Sequence, residues 1–513
     1  MSYPPSSAPP PAVLPPRPGT TSTSTWLSNW VDSLRPGLAA SNTAIWWAIA
    51  TGIGSSILFR SGAGGVGVPL FIGLLCLALI VGRRIGSRQS KAILAVTFAT
   101  SCVWIVRSSW WVLIPAWIAL LVLPPAAALF ARNGSIFDRS WISIGGMGAR
   151  LAAHAVLVFP WLVLGVSRAS PRPNRARAWT AVRALAIALP VVVVFAWLLT
   201  SADPIFAAIF RPDVAVEPFA VRLFLFIVGV GVLAFLWRTS AVPNGKTGAT
   251  TSWLLGRAES VTLLVAVSSI FVCFIGIQIA AALGMGEQTL AERNITVADY
   301  ARSGYFQLLA VVFLTSVILV TVDALRGSDA RPRRAERGLS VLIVLLALAI
   351  AATAMQRLAL YVDTYGLTML RLSCVPGAVW MTILLLLVVG WVTGVHRTKA
   401  WLPGAAAVAL VATMLAFAAV NPEAMVVRFN VDHADESPLD LDYLTSLSND
   451  AVPALIDAMP GLDPEQQLFV RNRLCQRPLP DPAWSMWSAV STQTSDDLNQ
   501  LCSDSERPFS ALP

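Results

Sequence analysis

Charge is scarce in this chain, and so are the side chains that most catalytic sites use. Asp, Glu, Lys and Arg make up 13% of 513 residues, against about 25% in soluble domains. Three histidines in the whole sequence leave little for metal ligation or imidazole acid–base chemistry. His154 falls in an apolar run, His396 in a basic turn and His433 in the acidic stretch VDHADESPLDLD. That stretch offers Asp432, Asp435, Glu436, Asp440 and Asp442 as hard oxygen donors. It lacks the spacing and the glycine of a calcium loop and reads as a solvated acidic linker. Walker, G-x-S-x-G, H-E-x-x-H and C-x-x-C patterns are absent, so none of their chemistries is signalled. No metal or cofactor is expected, and the balance leans away from an enzyme without excluding one.

What the chain has in quantity is apolar residues, 56% of the total. They gather in runs at about 43–59, 66–82, 92–106, 110–130, 149–167, 179–200, 219–237, 260–284, 305–325, 339–355, 376–395 and 400–421. A helix rises about 1.5 Å per residue, so about 20 residues cross a hydrocarbon core of about 30 Å. Only helices and closed barrels satisfy their own backbone in lipid, and the alternating strands of a barrel are not seen. The fold class is therefore all-α, a polytopic helical membrane protein embedded in the lipid bilayer. Many of the 19 tryptophans flank the runs, among them Trp46, Trp110, Trp141, Trp179, Trp237 and Trp401, as in an aromatic belt at headgroup level.

The net charge of +9 conceals an asymmetry. Residues 1–421 hold 32 Lys/Arg and 13 Asp/Glu, whereas residues 422–513 hold 5 and 15. The basic loops contain Arg83, Arg84, Arg88 and Lys91; Arg168, Arg172, Arg175 and Arg177; Arg326, Arg331, Arg333, Arg334 and Arg337; and Arg397 with Lys399. All four belong in the cytoplasm by the positive-inside rule, and no nucleic-acid partner is read from the basic total. The loops at 201–218, 285–304 and 356–375 then lie outside. The scheme works if 149–167, with Arg150, His154 and Pro160, is a re-entrant or interfacial cytoplasmic helix. Eleven crossings result, or twelve if that run spans. Eleven place the N-terminus in the cytoplasm and the C-terminus outside the plasma membrane.

Four regions follow. Residues 1–42 form a disordered Pro/Ser/Thr-rich cytoplasmic tail, without the apolar core of a signal peptide, plus a short interfacial helix over 26–38. Residues 43–178 hold the N-terminal transmembrane helices and the re-entrant helix, and 179–421 the main transmembrane domain. Residues 422–513 are a small, acidic, mostly helical extracytoplasmic appendage. In it, 440–459 reads as two short helices, the second capped by Asn449 or Asp450, and Asp463-Pro464-Glu465-Gln466 starts another. Cys475 and Cys502 are its only cysteines. Outside the cell they can persist as a disulfide, the alternative being two unpaired thiols. Gly229 and Gly231 in one span, with Gly52 and Ser56 in another, permit close helix approach.

Two polar stretches interrupt the apolar runs. One holds Asp299, Tyr300, Arg302 and Tyr305; the other holds Arg357, Tyr361, Asp363, Tyr365 and Arg371. Four of the six tyrosines sit in them. Thr296 with Asp299 matches a capping box, so the helix of the 305–325 run starts near Thr296. The 339–355 helix continues to Tyr365 and stops at Gly366, which sets Arg357, Tyr361 and Tyr365 along one edge. Both helices would rise above the outer leaflet and wall a polar vestibule, with Arg357 its innermost charge. Two readings stand: anchors and ion pairs that fix packing, or a site for a lipid headgroup, ion or small anion. Near the midplane, Gln278, Thr315, Ser316 and Thr321 are the few polar candidates for a transport path.

The segments SADPIFA (201–207), TVADYARSGYFQLL (296–309), LYVDTYGLTMLRL (360–372) and NPEAMVVRFNVDHA…LDLDYLTSLSNDAVPAL (421–455) carry a resemblance. Over roughly residues 180–460 the chain resembles an uncharacterised family of bacterial multi-pass membrane proteins, defined as a domain of unknown function. The resemblance implies no activity, substrate or catalytic residue. It implies that the polar stretches and the start of the appendage form one unit. The expected function is a non-enzymatic scaffold or sensor whose appendage meets an envelope protein or lipid headgroup. The alternative is a transporter or lipid-handling protein that uses the vestibule.

Overall fold

The computed structural model describes residues 41–132, 135–138, 217–241, 257–280, 305–325, 334–395, 399–435, 439–479 and 483–503, with Leu283 and scattered positions between 144 and 162. The tail 1–40, the runs and loops over 163–216, the stretch 284–304 with its expected helix start at Thr296, and Arg397 lie outside the described residues.

Every regular element among the described residues is helical. In chain order they are α1 (Asn42–Leu58), α2 (Gly67–Val81), α3 (Arg88–Ser101), the short α4 (Val103–Val106), α5 (Trp110–Leu129), α6 (Glu217–Ala241), α7 (Arg257–Ala280), α8 (Tyr305–Leu325), α9 (Arg334–Tyr365), α10 (Met369–Thr393) and α11 (Leu402–Ala419). Then come α12 (Pro422–Asp432), α13 (Leu441–Ser446), α14 (Val452–Ala458), α15 (Pro464–Cys475) and α16 (Ala489–Leu501). Among the described residues, seven stretches are long and apolar enough to cross a membrane: α3 with α4, α5, α6, α7, α9, α10 and α11. Gly67–Val81 and Leu308–Val322 are shorter apolar helices.

Local chemistry sets the helix ends. Ser41 and Ser87 cap α1 and α3 through their hydroxyls, and Thr368 caps α10. α9 runs 32 residues and stops at Tyr365, because Gly366 turns left-handed at φ +73°, a region glycine enters at little cost. α15 begins at Pro464, and Gln466 Oε1 accepts from the Asp463 amide at 3.3 Å. The second short helix of the appendage, α14, has no side-chain cap of its own. Ser448 accepts the Asp450 amide at 3.3 Å and caps the 3-10 turn Asn449–Ala451 that leads into it, while the Asp450 carboxylate is engaged elsewhere.

Among the described residues, three large apolar cores organise these helices, with a small fourth of Leu129, Phe130 and Met147 at the end of α5. The first joins α1 to α6 with Val158, Trp161 and Leu162. The second joins α7 to α10 with the start of α11. The third joins α12 to α16 with Met369 and Leu372 of α10. In the first core α1 and α6 run antiparallel at close range. A Cβ on Gly229 would lie 2.7 Å from the Thr51 carbonyl oxygen, and one on Gly52 would lie 2.8 Å from that of Phe226. Ser55 donates to the Leu225 carbonyl at 2.7 Å. The small residue facing α6 is therefore Ser55 rather than Ser56, whose hydroxyl bonds Ile53 of its own helix.

The bundle has two chemically distinct ends. At one, Arg84 lies over the Trp237 ring at 4.8 Å, and the amides of Gly86 and Ser87 bond the Ala131 carbonyl after α5. Arg238 bonds His154 at 2.7 Å there, and Phe137 packs against Gly404 at the start of α11. At the other end, the α1–α2 loop, the start of α5, the α9–α10 turn and the end of α11 all meet the C-terminal helices.

Candidate functional site

That second end is held by buried carboxylates. Ser108 and Ser109 precede α5, and their amides face the C-terminal helices. Ser108 N and Oγ donate to Asp450 Oδ1 at 2.8 and 2.9 Å, and Ser109 N donates to Oδ2 at 3.1 Å. Asp450 is 2% exposed. Its carboxylate satisfies amides at the positive end of the α5 dipole, which the helix itself leaves unpaired. An acid from residue 450 thus caps a helix that begins at residue 110.

Glu423, in the first turn of α12, is equally buried. Its Oε2 accepts from Ser448 N at 2.8 Å and from Ser448 Oγ at 2.6 Å. The Ser448 and Ser108 hydroxyls are 3.1 Å apart, so two acids bracket a serine pair. Asn421, left-handed at φ +49°, donates through Nδ2 to the Asp450 carbonyl at 3.0 Å and caps α12 through Oδ1. Arg107 donates to the Ala418 and Ala419 carbonyls at 2.6 and 2.8 Å, at the end of α11. Arg477 reaches the carbonyls of Thr445 and Leu447. Burial pushes both carboxyl pKa values up. The Ser108 and Ser109 hydrogen bonds and the charge of Arg107 oppose this at Asp450, while Asp450 itself adds to the rise at Glu423.

A second contact set holds the α9–α10 turn. Leu367 N donates to Asn430 Oδ1 at 2.9 Å, and Asn430 Nδ2 returns a bond to the Leu367 carbonyl at 2.7 Å. Met369 N donates to Tyr443 Oη at 2.7 Å. Arg371 donates to the Tyr365 carbonyl at 3.0 Å and to that of Gly366. Its guanidinium lies over the Tyr361 ring at 4.0 Å, and the Tyr361 and Tyr365 rings meet edge to face at 5.1 Å.

The structure therefore brings Tyr361, Tyr365 and Arg371 together, as one cluster that closes the end of α9. Arg357 sits half-buried one turn earlier along the same edge, and Asp363 is exposed. Tyr305 opens α8 as described, while Asp299, Tyr300 and Arg302 lie outside the described residues. Thr315 and Ser316 bond the carbonyls of Val311 and Val312 in their own helix. The acidic stretch is divided: Asp440 caps α13, Asp442 pairs with Arg473 at 2.6 Å, and His433 stacks on Phe429 at 4.2 Å. Among the described residues no group of three or more His, Cys, Asp or Glu is placed to hold a metal ion. Cys475 and Cys502 form a disulfide with Cα atoms 5.8 Å apart.

Sequence reasoning passed over Glu423, Ser108, Ser109, Asn430 and Tyr443, and ranked Asp450 as a local cap. All but the two serines lie in the segment 421–455, so the signal was its polar residues rather than its helix pattern. No curated protein and no solved structure matches the chain. A family match spans residues 93–458, reaching further toward the N-terminus than the segments that carry the sequence resemblance. It takes in Ser108 and Ser109 together with their partner Asp450. The chain belongs to the family described as Domain of unknown function (DUF4153).

Proposed function

We propose that this protein is a non-enzymatic integral membrane scaffold or sensor whose C-terminal helices, α12 to α16, face the outside of the plasma membrane and offer the interaction surface. The observation that carries this reading is the grip of that unit on the bundle. Asp450 holds the start of α5, Asn421 and Arg107 tie the end of α11, and Asn430 with Tyr443 hold the α9–α10 turn. A shift in any of these helices is passed to the unit, and an event at the unit is passed back.

The orientation rests on charge. Arg83, Arg84, Arg88, Lys91, Arg238, Arg334, Arg337 and Lys399 belong to the end away from the C-terminal unit, which the positive-inside rule puts in the cytoplasm. The alternation of helices supports eleven crossings. α5 ends on the basic side and α6 starts on the opposite one, in agreement with that count. In the eleven-crossing scheme the 149–167 run stays on the cytoplasmic side, and His154 meets Arg238 there.

Two measurements test the reading. Ser446 is exposed, so Ser446→Cys, in a chain with Cys76, Cys102, Cys273 and Cys374 changed to Ala, should react with an impermeant maleimide in intact cells. Reaction only after membrane rupture overturns the orientation. Leu468 on α15 is 59% exposed; a photo-crosslinking residue there should trap a discrete adduct in cells. Its failure to trap any adduct overturns the interaction role.

A further inference from the structure

The turn joining α15 to α16 has its polarity inverted. Trp484 is 59% exposed and Trp487 48%, while Ser485 and Ser488 between and beside them are buried. A water-facing turn would show the opposite pattern, since exposed apolar clusters mark contact surfaces. Its position says what the contact is. Val66 N, at the start of α2, donates to the Trp487 carbonyl at 2.8 Å. A Cβ on Gly67 would lie 3.1 Å from the Ser485 carbonyl oxygen. The turn therefore lies alongside residues 65–67, where the apolar run of α2 begins. Leu70, 47% exposed on α2, is only about 6 Å further along the helix axis.

Other tryptophans share this end of the bundle. Trp110 and Trp111 open α5 directly after the serines that Asp450 holds, and they are 67% and 41% exposed. Tryptophan favours the headgroup level, where its ring meets acyl chains and its N–H meets water. The disulfide between Cys475 and Cys502 closes the chain on both sides of the turn, and the Val66 bond fixes it to α2.

We propose that Trp484 and Trp487 are a membrane-interface anchor, which seats the C-terminal unit on the bilayer leaflet next to the bundle, with phospholipid as the partner. The inference rests on the membrane-spanning reading but not on which face is cytoplasmic. It adds lipid to the surfaces of the unit and leaves the exposed face of α15 for proteins.

The test uses the full chain in vesicles of phosphatidylcholine and phosphatidylglycerol. Nitroxides are placed by Trp484→Cys, Trp487→Cys, Leu70→Cys and Ser446→Cys, each with Cys76, Cys102, Cys273 and Cys374 changed to Ala. Oxygen concentrates in lipid and a water-soluble nickel chelate in water, so the ratio of their relaxation effects reads depth. Positions 484 and 487 should give a ratio close to that at Leu70 and several-fold above that at Ser446. A ratio at 484 and 487 equal to that at Ser446, with Leu70 in lipid, overturns the anchor. A water-like ratio at Leu70 overturns the membrane-spanning reading itself. The unsubstituted chain provides a second readout: a lipid-soluble diazirine should label the peptide holding Trp484 and Trp487 and spare that holding Asp442 to Ser446. Absence of label on the tryptophan peptide, with label at Leu70, likewise overturns it.

Discussion

Asp450 occupies a position where one side chain does the work of a linker. Its oxygens take three hydrogen bonds from Ser108 and Ser109 in a site closed to water. Asp450→Ala leaves the amides of half-buried Ser108 and buried Ser109 without this acceptor, at a cost of about 1–3 kcal/mol for each buried unsatisfied group. The expected outcome is a lower melting temperature in detergent and faster hydrogen exchange over 422–503, with Asp450→Asn milder because its amide oxygen still accepts. Acidity should act in the opposite direction. Burial raises the folded-state pKa of both Asp450 and Glu423, so the docked state binds protons more tightly than the undocked one. That contribution is fully present below the ordinary carboxylate range of about 4 and is lost as pH rises through the raised values. Arg107 faces Asp450, and Arg477 faces Glu423. Exchange protection of 422–503 should therefore increase as pH falls from 8 toward 4, and Asp450→Asn should flatten the slope. A protection profile that rises with pH would count against the junction as described.

At the scale of elements, the edge formed by Tyr361 and Tyr365 was legible, because residues four apart share a helix face and Gly366 is a natural stop. The use of that edge was not legible. Arg371 folds back from α10 onto it, which depends on a three-residue turn clamped by Asn430 from a distant helix. The α1–α6 contact shows the same division. Small residues announce close approach, but the rotation of α1 selects Ser55 over its neighbour Ser56. Gly229→Leu should clash with the Thr51 carbonyl and the Ser55 side chain and force the helices apart. Protein abundance in membranes should drop sharply, whereas Gly276→Leu, where a Cβ meets nothing within 4 Å, should leave it unchanged.

For the whole molecule, the disulfide between Cys475 and Cys502 closes a loop of 27 residues' separation. Loop closure of that size is worth about 3 kcal/mol on the chain-entropy estimate. Replacing both by Ser should accelerate proteolysis between α15 and α16 while α1 to α11 keep their melting behaviour, measured by limited proteolysis and circular dichroism. The all-helical membrane class and the basic–acidic split of the chain were determined by sequence alone, because hydropathy and charge are sums over local residues. The stop of α9 at Gly366 was local as well, set by one residue's backbone freedom. Only the tertiary structure decided that the acidic C-terminal segment docks on the bundle, and that Asp450 caps α5 rather than its own helix. A carboxylate bonds whichever unpaired amides are nearest in space, and those amides lie more than three hundred residues away along the chain.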